Sequence, residues 1–123
     1  MAQLFSLGQV SRDMDNTHQA DIEAEITFVP TDQGGRKTPA FSNYRPQFYY
    51  DGLDWDARHD YPDVESVLPG QTVRALLTFS RPQMHFGRVV EGMEFLVREG
   101  QRTVARGRVT KLLFLAEHAK GKT

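Results

Sequence analysis

A chain of 123 residues, 39% hydrophobic and 25% charged with eight Phe and one Trp, has the makeup of one folded domain and buries roughly two thirds of its unfolded surface. A net charge of −1 and a pI near 6.4 exclude a surface made throughout for nucleic acid and leave room only for a local basic patch balanced elsewhere. The absence of cysteine removes disulfides, thiolate metal sites and cysteine nucleophiles.

Residues 1–20 keep neither helical nor strand periodicity and are read as an N-terminal arm, ordered on contact or forming a short helix. Leu4, Phe5 and Leu7 are too few for a secretory core. From Asp21, Ile22, Ala24, Ile26 and Phe28 share one parity and charged residues the other, the pattern of a half-buried antiparallel strand. Pro30, Asp32, Gly34 and Gly35 end it with turn chemistry. The stretch GGRKTPAFSNYRPQFY, Gly34 to Tyr49, then packs glycines, prolines, cations and aromatics into a loop feeding a second strand.

Residues 51–65 hold six acids against Arg58 alone, and are expected to form a solvated acidic hairpin or loop. After the Pro69-Gly70 turn, Val73, Ala75, Leu77 and Phe79 alternate with Thr72, Arg74, Leu76 and Thr78 in another strand. Pro82, Gly87 and Gly92 make the next segment a loop with at most a short strand. Met93, Phe95 and Val97 mark the following strand, which turns at Glu99-Gly100-Gln101 into the longest one, from about Arg102 to Phe114. Its inward parity, Thr103, Ala105, Gly107 and Val109, is small enough for a tightly closed barrel. The elements together predict an all-β barrel or sandwich over 21–115, with a flexible tail over 116–123. The longest apolar run, Leu112 to Ala116, is far short of a membrane span, so a cytoplasmic protein without a membrane partner is expected.

Catalytic signatures are weak. The terminal Gly-Lys-Thr lacks the first glycine of a phosphate loop, where Ala116 stands, and a helix to follow it, so this chain alone is expected to bind no nucleotide. The histidines at 18, 59, 85 and 118 have no helical metal spacing, Asp51, Asp54 and Asp56 lack the rest of a calcium loop, and no serine sits in a nucleophile elbow. No cofactor is implied, and an enzyme is the least supported class. What stands above background is cationic: Arg36, Lys37 and Arg45, then Arg98, Arg102, Arg106, Arg108 and Lys111. If the two groups lie side by side they form a patch for a phosphate backbone. The plainer account makes them ordinary solubilising charges on an outward strand face.

Several segments resemble one known family. GGRKTP, YRPQFY and REGQRTVARGRVTKLL closely resemble the third, C-terminal domain of bacterial elongation factor Tu. EAEITFVPTDQGGR and PDVESVLPGQTV resemble its first strand and the run into its central strand, in the same order. The resemblance covers about Asp21 to Leu113. It implies a closed six-stranded antiparallel β-barrel of Greek-key type and a non-catalytic, translation-related module that contacts the T-stem of aminoacyl-tRNA. Carried over by position, it implies Arg36, Lys37, Gln47, Glu99 and Gly100 as RNA-facing; Arg102 matches a family arginine that either contacts RNA or holds the hairpin, and Arg106 is expected in the same RNA-binding set. The chain departs from the family at Ala105 and Arg106, where Arg106 adds charge, at the longer 81–92 region, and at the acidic 51–65 segment. The competing expectation is a protein-interaction module for a translation GTPase or another protein, with Trp55 and Tyr61 as interface anchors.

Overall fold

The computed structural model describes residues 19–121. Among these residues, eight strands run in chain order: β1 (Ile22–Phe28), β2 (Ala40–Phe41), β3 (Gln47–Tyr50), β4 (Leu53–Asp60), β5 (Ser66–Val67), β6 (Thr72–Phe79), β7 (Glu94–Glu99) and β8 (Arg102–Leu112). Six close into an antiparallel barrel in the order β1-β6-β4-β3-β7-β8, while β2 and β5 pair as a separate two-stranded sheet. Strands β3, β4 and β6 follow one another, and β7 returns to lie beside β3, a Greek-key connection. The barrel expected from the resemblance is the fold observed.

Alternation places the core. Ile22, Ala24, Ile26 and Phe28 of β1 are at most 1% exposed, and Val73, Ala75, Leu77 and Phe79 of β6 face the same interior. Phe48 is its aromatic centre, stacked on Phe95 at 4.1 Å and edge-on to Phe79 at 5.0 Å; such pairs contribute about 0.5–1.5 kcal/mol each beyond the area they bury. The crowding anticipated on β8 has a definite cause. A Cβ on Gly107 would overlap the Phe95 ring, with Cε1 only 2.8 Å away, so this strand carries no side chain where the stacked rings need the volume. A bulge between Val97 and Arg98 puts Val104 inside as well as Ala105.

Outside, charges alternate across the sheet. Glu94 of β7 lies opposite Arg108 of β8, Arg108 opposite Glu25 of β1, and Glu25 opposite Arg74 of β6. Arg74 also bonds Asp63 at 2.9 Å and Glu23 at 3.1 Å. Opposite signs facing each other stabilise neighbouring strands.

One expectation is narrowed and one corrected. Of the acidic hairpin or loop expected after Tyr50, the hairpin is what forms: Asp51 and Gly52, both at positive φ, make a two-residue turn of the kind that matches strand twist, and Leu53–Asp60 is barrel strand β4 rather than loop. Its inward positions are Ala57 and His59, and Asp54 and Asp60 are paired by Arg98 and Arg58. The correction concerns the tail. Helix α1 (Leu115–Gly121) buries Leu115 and Ala119, and its His118 Nδ1 meets Asp21 Oδ1 at 2.6 Å. Asp21 is itself fully buried and accepts the Phe79 N–H at 2.7 Å, so the helix is tied to the barrel. The 81–92 region contains a single 3₁₀ turn, Pro82–Met84, and no strand. The N-terminal arm lies outside the described residues up to His18, as do Lys122 and Thr123 of the terminal Gly-Lys-Thr.

Candidate nucleic-acid interface

The β7–β8 hairpin and the loop after β1 meet at one end of the barrel. Gly100 sits exposed at φ 63° in the first central position of the turn, a position that favours glycine. Beneath it, the Glu99 carboxylate accepts hydrogen bonds from Arg36 Nη1 and the Tyr44 hydroxyl on one oxygen, and from Arg102 Nη2 at 3.5 Å on the other. Burial pushes the Glu99 carboxyl up, and the bonds from Tyr44 and Arg36 outweigh it, leaving the group below its usual range. Burial and the bond to Glu99 push the Tyr44 hydroxyl well up, so it stays protonated and donating.

Arg36 is spent within this clamp. Besides Glu99, its guanidinium donates to the Thr38 carbonyl at 3.3 Å, Thr38 Oγ1 at 3.1 Å and the Pro39 carbonyl at 3.2 Å, and lies 4.4 Å above the Tyr44 ring. The loop is fixed from its other side as well. Thr31 Oγ1 donates to the Arg36 carbonyl at 2.6 Å, and Gly35 packs so closely on the Val29 and Pro30 carbonyls that no side chain fits there. Lys37, between two clamped residues, is exposed, as are Arg45 and Arg102. Neither Lys37 nor Arg45 has an ion-pair partner among the described residues.

The remaining site residues lie on the barrel wall. Gln47 is half-buried in a cross-strand row with Asp56 and Arg98, and its Oε1 has no hydrogen-bond partner among the described residues. Arg98 is held by Asp54 at 3.4 Å and by the Tyr49 ring at 4.1 Å, so it is structural. Arg106 is exposed four residues along β8 from Arg102, roughly 13 Å at strand rise, opposite Leu96 and Thr27. It borders a shallow groove of about 580 Å³ shared with Tyr49, Glu25, Glu94 and Arg108. The structure thus brings Arg36, Lys37, Glu99, Gly100 and Arg102 together, sets Gln47 on the neighbouring strand opposite Arg98, and leaves Arg106 farther along β8. Tyr44, central to the clamp, was absent from the sequence-derived set; its place between the glycine loop and Arg45-Pro46 was the available signal.

This end of the barrel is built from the three segments whose sequences carry the resemblance, and the comparison with known families agrees. Residues 16–113 match the model of the elongation factor Tu C-terminal domain. The chain belongs to this family. It is therefore a translation-factor domain by descent, with its barrel and its clamped glycine turn both inside the matched span. Among the described residues, no helix of this elongation factor Tu C-terminal-type domain is long and apolar enough to cross a membrane.

Proposed function

We propose that this domain is a non-catalytic, cytoplasmic binding module of translation that takes structured RNA, most simply a tRNA arm, against the end of the barrel bearing Gly100. The observation that carries the reading is the rigid clamp. Glu99, Arg36 and Tyr44 neutralise and fix one another, so the loop presents Lys37, Arg45 and Arg102 in fixed positions beside an exposed glycine turn where a backbone can approach closely. Cations held this way position a phosphate backbone, while the neutral turn permits close contact.

The role of each residue follows. Lys37, Arg45 and Arg102 contact phosphate, Gly100 supplies close approach, and Arg36 and Glu99 position the others without being free to bind. Gln47 and Arg106 extend the contact only if the RNA runs along the β3-β7-β8 wall. Filter binding of tRNA across a salt series tests this. Three phosphate contacts give a slope of log K against log salt of roughly −3; absent or salt-insensitive binding would sink the reading. As a protein-binding anchor, Tyr61 is unavailable, since it is only 3% exposed and its hydroxyl is engaged with His59 Nδ1 at 2.9 Å.

A further inference from the structure

Strand β4 outruns its neighbour. Ala57 to Asp60 pair with β6, but β6 ends at Phe79, and Leu53 to Asp56 pair with β3 alone. In an antiparallel hairpin with a two-residue loop, the pair flanking the loop is hydrogen-bonded and the next is not. Tyr50 and Leu53 are that flanking pair, so the N–H and C=O of Asp54 point away from β3. On that side they have no backbone partner among the described residues, and the next contact, Ser80 N–H to the Asp56 carbonyl, is at 3.2 Å.

The space beside this open edge is a cavity of about 270 Å³ lined by Asp54, Trp55, Asp56, Ser80, Arg81 and His85. Two of the lining residues carry a buried ring nitrogen: Trp55 Nε1 and His85 Nε2 have no hydrogen-bond partner among the described residues, and the rings meet edge to face at 4.8 Å. Unmet buried donors are costly, so each needs an explanation. The Tyr50 hydroxyl, 2.7 Å from His85 Nδ1, has no other partner among the described residues; it donates to Nδ1 and leaves the imidazole proton on Nε2. Burial and nearby Arg88 push the imidazole down to about 4, so the ring is neutral. Trp55 Nε1, His85 Nε2 and Asp54 N then offer donors, and the Asp54 carbonyl and Asp56 carboxylate offer acceptors.

We propose that this cavity and the free edge of β4 form a binding site for an extended peptide, whose carbonyl takes the orphaned ring N–H groups while its own N–H pairs with Asp54. A carboxylate ligand fits less well, because Asp56 and Arg81 line the same cavity and offset each other, leaving it no net positive charge to offer. An extended strand adding to a sheet edge takes its affinity from such main-chain bonds. His85 belongs to the 81–92 region and Trp55 to the 51–65 segment, both of which depart from the pattern that carries the resemblance, and the site shares no residue with the clamp. It stands or falls separately from the RNA reading.

The test is an NMR titration of the ¹⁵N-labelled domain with N-acetylglycine N-methylamide, an uncharged peptide unit, taken to its solubility. Saturable shifts of the Trp55 indole N–H and the Asp54 amide are expected, with sodium acetate giving none. The probe methylated on both amide nitrogens keeps its carbonyls and loses its N–H groups; its midpoint should lie about tenfold higher, the worth of one hydrogen bond. Trp55→Phe should raise the midpoint similarly when read at Asp54. No saturation with the diamide, saturation with acetate instead, or equal midpoints for the methylated and unmethylated probes would each overturn the proposal. The probe comparison decides it even where Trp55→Phe fails to fold.

Discussion

Replacing Arg36 by alanine separates the clamp from the contact surface. The guanidinium makes three bonds to Thr38 and Pro39 at 3.1–3.3 Å, one to Glu99, and a cation–π contact with Tyr44. Its side chain is 18% exposed and that of Glu99 30%, so solvent screens part of the attraction. Removing it leaves a half-buried carboxylate with Tyr44 and a long contact to Arg102. Charge-assisted hydrogen bonds of this kind contribute about 1.5–3 kcal/mol, and after screening a loss near 2–3 kcal/mol is expected. For a domain of this size that lowers Tm by roughly 10–15 °C. Lys37→Ala, one residue on, should change stability by less than about 0.5 kcal/mol and reduce the salt slope of tRNA binding by about one. Urea melts and the salt series on both variants provide the assay. An Arg36→Ala protein as stable as the parent but unable to bind RNA would refute the assignment, because it would make Arg36 a direct contact.

Gly107→Ala should destabilise the barrel by about 1–3 kcal/mol through overlap with Phe95, measured by urea unfolding; a neutral result would mean the Phe95–Phe48 stack yields readily. Stability should also fall on mild acidification. Burial lowers His59 to about 3, and burial with Arg88 lowers His85 to about 4, from the usual 6.5. Both are neutral when folded and take up protons on unfolding, so their contribution is complete above about pH 6.5 and is lost as pH falls toward 4. Each histidine adds up to about 1.4 kcal/mol per pH unit in that window. A flat stability profile between pH 6.5 and 4.5 would contradict it.

Strands whose inward residues are aliphatic, β1 and β6 above all, were legible from alternation alone, and the Gly100 turn from its composition. Strand β4 was not. Its interior is supplied by Ala57 and His59, and its outer parity is crowded with aspartates whose partners Arg58 and Arg98 come from the same strand and from β7, so local charge suggested solvent where cross-strand pairing supplied neutralisation. Helix α1 was missed because what docks it is the burial of Leu115 and Ala119 and the bond from His118 to Asp21, a partner nearly the whole domain away in sequence. In the candidate site, the structure brings Arg36 and Glu99 together and has them satisfy each other, a fact that only the loop's approach to the hairpin reveals.

The alternating row from Glu94 through Arg108 and Glu25 to Arg74 bears on how an RNA would find this protein. Opposite charges a few ångströms apart cancel within a Debye length of about 8 Å, so this wall is electrically quiet to an approaching polyanion. Lys37 and Arg45, which have no ion-pair partner among the described residues, then add to the field near Gly100. A near-zero net charge is thus compatible with an orienting torque: a polyanion that bound at this end would draw the molecule in little as a whole, but would turn that end toward itself.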